Sequence, residues 1–121
     1  MSKNSGAVQW FCRNFRTYND AEDSLPVDQH ELIALLAPRP ICIASADEDL
    51  WSDPRGEFLS LAHASPVYAL WGGADIAPDS MPALNSPRVA VPRQYHIRSG
   101  IHDLTIPDWQ AYRAAADRLW R

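Results

Sequence analysis

The chain alternates short apolar runs with polar, proline-marked breaks, and the spacing inside each run predicts its conformation. Residues 1–26 show neither a helical nor a strand period, and Trp10, Phe11, Phe15 and Tyr18 stand as aromatic anchors in an otherwise polar stretch, which reads as an ordered but irregular arm. From Val27 to Ala37, Leu35 and Leu36 fall three and four residues after Leu32, with Asp28 near the start and Pro38 at the end, so a short amphipathic helix is expected. Pro38-Arg39-Pro40 then forces an extended approach to the next element. Ile41 to Ala46 is continuously apolar rather than alternating, the pattern of a central strand in a parallel sheet covered on both faces.

The second half continues the alternation. Pro54 falls where the first turn of a helix tolerates it, and Phe58, Leu59, Leu61 and Ala62 carry that helix to Pro66, which interrupts or kinks it. Val67 to Trp71 extends it until Gly72-Gly73 stops it. Residues 74–93 are proline-rich with little periodicity and read as a long surface loop. Gln94 to Arg98 is expected as a second short strand, and Thr105 with Asp108 forms a capping box at the start of a helix from about Ile106 to Leu119, with Pro107 in its first turn.

The sum over residues 27–121 is helix, strand, helix, loop, strand, helix, an α/β arrangement in which each strand hands over to a polar turn at its carboxyl end. Functional groups of open α/β sheets gather at those ends. Two parallel strands leave too much edge and face uncovered to stand alone, so residues 1–121 are expected to be one segment of a larger single domain.

Composition narrows the function. The 46% hydrophobic content and five tryptophans suffice for a packed interior, and the apolar residues are too broken up to supply a membrane span. The net charge of −4, with the basic residues scattered, argues against nucleic acid or a membrane surface as partner. The N-terminus shows no apolar core of the kind a secretory signal needs. Cys12 and Cys42 belong to no C-x-x-C pair, and Cys42 inside an apolar strand reads as a small buried hydrophobe.

Candidate chemistry lies in two turns. Asp47, Glu48, Asp49 and Asp53 crowd the turn after the first strand, and His102, preceded by Gly100, follows the second. An imidazole beside a carboxylate is suited to take a proton from a hydroxyl, the acid fixing the ring's tautomer and stabilising the imidazolium. Parallel neighbours lie about 5 Å apart, so a carboxylate at one strand tip can reach a histidine at the next. Asp49 is the first choice for that acid and Glu48 the second, while Asp53 is better placed to cap the helix at Pro54. His30, His63 and His96 fall within predicted helices or a strand and are expected to be structural.

The order acid, then histidine is the second half of an α/β-hydrolase triad, whose nucleophile would sit upstream in a G-x-S-x-G turn, and no such turn occurs in these residues. A calcium loop is excluded by spacing, because Ser52 stands where an EF-hand needs glycine and Phe58 where it needs glutamate. The histidines have no zinc-site spacing, so no metal or other cofactor is expected.

The residues Trp10 to Phe15, Leu25 to His30, Ala37 to Pro40, Ser45 to Phe58, Tyr95 to Gly100 and His102-Asp103 together resemble the C-terminal portion of the bacterial-type glucuronoyl esterases, carbohydrate esterase family 15. The resemblance implies the C-terminal part of an α/β-hydrolase fold, its last two parallel strands with flanking helices, and a three-layer sandwich incomplete in this chain. It also implies a serine hydrolase that cleaves esters between xylan-borne glucuronic acid and lignin alcohols, as in a 4-O-methyl-glucuronoyl methylesterase. His102 would be the general base, Asp49 the acid, and Trp51 would contact the glucuronate ring. Trp71, Trp109 and Trp120, with Trp10, are left as packing residues.

The resemblance further implies a secreted or periplasmic enzyme, and a serine-bearing N-terminal half that these residues do not contain. Without it the chain is expected to be inactive and to fold poorly. The other class of reading is a non-catalytic carbohydrate-binding or structural remnant of a hydrolase.

Overall fold

The computed structural model describes residues 11–120. Two single 3-10 turns, Phe15–Tyr18 and Glu22–Ser24, precede α1 (Gln29–Ala34), β1 (Ile41–Ala46), α2 (Pro54–His63), α3 (Ser65–Ala69), β2 (Arg88–Ala90), β3 (Arg93–Arg98) and α4 (Ile106–Leu119). No helix among the described residues is long and apolar enough to cross a membrane.

β1 and β3 are parallel and in register from Ile41 opposite Arg93 to Ala46 opposite Arg98. The strand order is β1-β3-β2, so β3 is central and β1 lies at an edge among the described residues, the reverse of the place its apolar run suggested. β2 pairs antiparallel with β3 and was not expected at all. Its three residues are too few to show a period, and the prolines on either side, Pro87 and Pro92, read as loop.

Strand periodicity places one helix layer on each face. Arg93, Tyr95 and Ile97 of β3 point toward α2 and α3: Arg93 donates to Leu61 O at 2.8 Å, and the Tyr95 ring meets Phe58 edge-on at 5.2 Å. Gln94, His96 and Arg98 point to the other side, where they meet Arg118, Tyr112 and Asp108 of α4. All six residues of β3 are buried. The apolar core proper lies on the α2 side, around Phe58, Leu61, Tyr68, Ile76 and Ile97.

The Arg93 side chain is fully buried within that core. Its guanidinium donates to Leu61 O, Ser65 Oγ and Ala74 O and lies 4.7 Å from the centre of the Tyr68 ring. These bonds tie the break between α2 and α3, and the start of the long loop, to the first residue of β3. Both terminal nitrogens are thereby satisfied, while the buried Nε has no hydrogen-bond partner among the described residues.

The helices begin where their capping residues stand. Asp28 accepts from Gln29 N while Glu31 accepts from Asp28 N, Asp53 accepts from Gly56 N, and Asp108 accepts from both Thr105 N and Thr105 Oγ1. α1 is nonetheless shorter than the expected Val27 to Ala37 and turns a different face inward. Ile33 is buried, whereas Leu32 is half exposed and Leu35 is 75% exposed. A helix of six residues makes under two turns, too little for a leucine spacing to decide which side packs.

The aromatic residues also depart from expectation. Phe11 and Phe15 stack on each other at 4.7 Å, remain 45% and 40% exposed and lie outside the apolar core, so they anchor the arm locally. Trp71, Trp109 and Trp120, expected in packing, are each more than half exposed. Bulk and apolarity made them core candidates, but each sits on a surface that no other described element covers. Trp10 lies outside the described residues.

Candidate active site

Because β1 and β3 run parallel and end together at Ala46 and Arg98, the turns that follow them leave the sheet from the same end. Hydrogen bonds continue the pairing beyond the strands: Asp47 N donates to Arg98 O at 3.0 Å, Glu48 N to Gly100 O at 3.1 Å, and Gly100 N to Asp47 Oδ1 at 2.8 Å. Gly100 has φ +111°, a conformation L side chains rarely adopt, and this lets the chain double back toward β1.

That turn brings His102 Nδ1 to 2.6 Å from Asp49 Oδ2. Ser52 Oγ donates to the same oxygen at 2.7 Å, and the hydroxyl together with the His102 ring holds the Asp49 carboxyl below the usual carboxylate range. The Asp49 side chain is 12% exposed and that of His102 is 84% exposed. The acid thus sits at the floor and the imidazole projects outward, with Nε2 free of hydrogen bonds among the described residues.

The structure separates the four acids of the turn. Asp49 is the one in contact with His102, Asp47 holds Gly100 N, and Asp53 caps α2 in a left-handed conformation. Glu48 is exposed and joins the turn through its backbone. Trp51 follows on the same turn with its side chain 79% exposed, available to a ligand and packed against no core. His30 and His63 face each other on α1 and α2 with ring centres 6.0 Å apart, away from the pair.

Beneath the pair lies a polar recess of about 140 Å³ lined among others by Ser45, Ser52, Glu57 and Arg98. Three residues that sequence reasoning missed organise it. Arg98 donates from Nε to Asp108 Oδ2 at 2.7 Å, and its remaining nitrogens bind Ser99 O, Ile101 O and Asp103 O, so one guanidinium braces both sides of His102. Burial works against the charged form of Asp108, yet the bonds from Thr105 and Arg98 outweigh it and hold the carboxyl down at about 2. The third is Glu57, within 2.5 Å of Ser45 Oγ. An arginine closing a strand ahead of a capping acid was the one available signal; nothing local marked Glu57.

His96 is buried beside this cluster with Nε2 at 3.6 Å from Asp108 Oδ1 and neither ring nitrogen hydrogen-bonded. Burial lowers its pKa, against the opposing pull of Asp108.

Helices on both faces of a sheet, with an acid and a histidine at the carboxyl tips of adjacent parallel strands, define an α/β-hydrolase. The family described as "Glucuronyl esterase, fungi" matches residues 1–72. A carbohydrate esterase from an unknown prokaryotic organism is 47% identical over 114 residues, covering 94% of this chain and 26% of that protein. A 4-O-methyl-glucuronoyl methylesterase of Wolfiporia cocos is 36% identical over 66 residues, or 54% of this chain and 16% of that protein. The solved structure of a glucuronoyl esterase from Solibacter usitatus superposes with a TM-score of 0.83 at 47% identity, covering 93% of this chain and 28% of that one. The chain belongs to the glucuronyl esterase family. It spans about a quarter of the length of the prokaryotic relative.

Proposed function

We propose that the chain supplies the histidine and acid of a serine-type glucuronoyl esterase acting on esters between xylan-borne glucuronic acid and lignin alcohols. The contact of His102 Nδ1 with Asp49 Oδ2 at 2.6 Å carries this reading. Asp49 orients the ring and stabilises the imidazolium, and the free Nε2 faces outward as general base for a nucleophile brought from outside these residues. Trp51 offers an apolar face and an N–H to the sugar.

The nucleophile has a place to arrive from. β1 pairs on one side only among the described residues, and a groove lined by Leu32, Leu36, Ile41 and Ile43 runs beside it. A serine-bearing hydrolase portion would extend the sheet at this edge, and without it the chain is inactive. A polymeric substrate of xylan and lignin places the working enzyme outside the cytoplasm.

The test mixes the chain with the serine-bearing portion of a relative and follows hydrolysis of a glucuronate methyl ester. Cleavage that appears only in the mixture and disappears with His102→Ala is expected. Cleavage indifferent to His102→Ala would instead favour a non-catalytic, carbohydrate-binding remnant, and hydrolysis by the chain alone would overturn the need for a second portion.

A further inference from the structure

Glu57, Ser45, Tyr95 and Pro54 form a chain of three short contacts across the top of β1. Glu57 Oε2 lies 2.5 Å from Ser45 Oγ, Ser45 Oγ lies 2.9 Å from the Tyr95 hydroxyl, and that hydroxyl lies 2.8 Å from Pro54 O. Each contact needs one proton. The Pro54 carbonyl is an acceptor only, so the phenol proton belongs to that bond, and the Ser45 proton then belongs to the bond with the Tyr95 oxygen. The contact between Ser45 and Glu57 has no proton left except one on the carboxyl group.

We propose that Glu57 is a neutral carboxylic acid that donates its proton to Ser45, a positioning residue that locks the tip of β1 to the start of α2 and so fixes the intervening turn that carries Asp49. The ionised alternative would split the single phenol proton between two acceptors. It would also leave a half-buried carboxylate, with no ion pair among the described residues, facing Asp49 and Asp53.

The surroundings agree with this count. Burial pushes the Glu57 carboxyl up and the charges of Asp49 and Asp53 add to it; a bond donated by Ser45 would oppose them, whereas one donated by Glu57 does not. From the other elements the groups that share its recess are Arg98 on β3, His102 and Asp103 on the following loop, and Asp108 and Tyr112 on α4, while the Tyr95 phenol reaches it through Ser45; none of them forms an ion pair with it. Asp49 and Glu57 line one recess, and their environments push the two carboxyls in opposite directions. Of these two carboxyls, Asp49 is then the ionised one and it is the one that touches His102. This inference rests on hydrogen-bond geometry and stands apart from the esterase reading.

The side-chain carboxyl carbon of Glu57, followed by NMR through a pH titration of the full chain, reads the protonation state without any substitution. A midpoint above the ordinary glutamate value of about 4.3 is expected, and a midpoint at or below it overturns the proposal. Tyr95→Phe removes the acceptor of the Ser45 proton, which then turns to Glu57 and favours its ionised form; the midpoint should fall, and an unchanged or raised one counts against the chain of donors. For positioning, Glu57→Gln keeps a donor to Ser45 and should leave the His102 imidazole resonances in place, whereas Glu57→Leu should shift them. Resonances that ignore Glu57→Leu would end the positioning role.

Discussion

Arg98 Nε lies 2.7 Å from Asp108 Oδ2, which ties the last residue of β3 to the carboxylate that caps α4, across the loop that carries His102. Both side chains are at least nine-tenths buried. The same guanidinium binds three carbonyls of that loop, so a single ion pair sets both the helix start and the placement of the imidazole.

Removing one partner of a buried pair leaves the other charge uncompensated, which costs about 3–5 kcal/mol. Arg98→Leu is expected to lower stability by that order in urea denaturation and to release His102 from Asp49. A variant with the wild-type midpoint and unchanged His102 resonances would show that the pair does not brace the loop.

Stability should fall in two steps on the acid side. His96 is lowered by burial in the folded chain, so it favours the fold above its ordinary value of about 6.5, and that contribution is lost as pH drops from there toward the lowered folded value. Asp108, held at about 2, stabilises above the ordinary carboxylate range and loses its contribution between roughly 3.9 and 2. Urea midpoints measured against pH should show both steps, and His96→Phe should flatten the upper one alone.

Gly100→Ala tests the turn. The backbone φ of +111° disfavours any side chain, and the new Cβ would stand 3.3 Å from Arg98 Nη1. A loss on the order of 1–3 kcal/mol is expected from holding such a conformation. Thermal unfolding unaffected by the substitution would mean that the loop relaxes without cost.

The two cysteines should react at different rates. Cys12 is exposed, while burial pushes the Cys42 thiol up to about 11, so its thiolate is scarce at neutral pH. A maleimide should label Cys12 first and Cys42 only as the chain unfolds. Equal rates in the folded state would contradict the partial burial of the Cys42 thiol.

In the complemented enzyme, Asp49→Asn should reduce kcat by on the order of 10⁴, as loss of the orienting carboxylate does in serine triads. Glu48→Gln should leave it unchanged, since the Glu48 side chain points into solvent. The opposite ranking in steady-state kinetics would move the acid to Glu48.

Much of this site was legible in the sequence. The caps at Asp28, Asp53 and Thr105, the strand Ile41–Ala46 and the helix Ile106–Leu119 stand where local spacing put them, because each depends on residues within a turn of one another. The acidic turn and the histidine loop were legible for the same reason, as polar segments directly following apolar runs. What misled was burial: Leu35 and three tryptophans are apolar yet exposed, while Arg93, Gln94 and Arg98 are polar yet buried.

The sequence by itself determined the local elements and a short list of acids from which one could serve His102. The tertiary structure decided which acid touches the imidazole, Asp49, across a separation of 53 residues. The deciding quantity is strand register. β1 and β3 end level, and a slip of one residue would turn every side chain to the other face and carry Asp49 away from the imidazole. Register, the pairing of β2 and the burial of Arg98 against Asp108 arise between segments distant along the chain, where no local pattern records them.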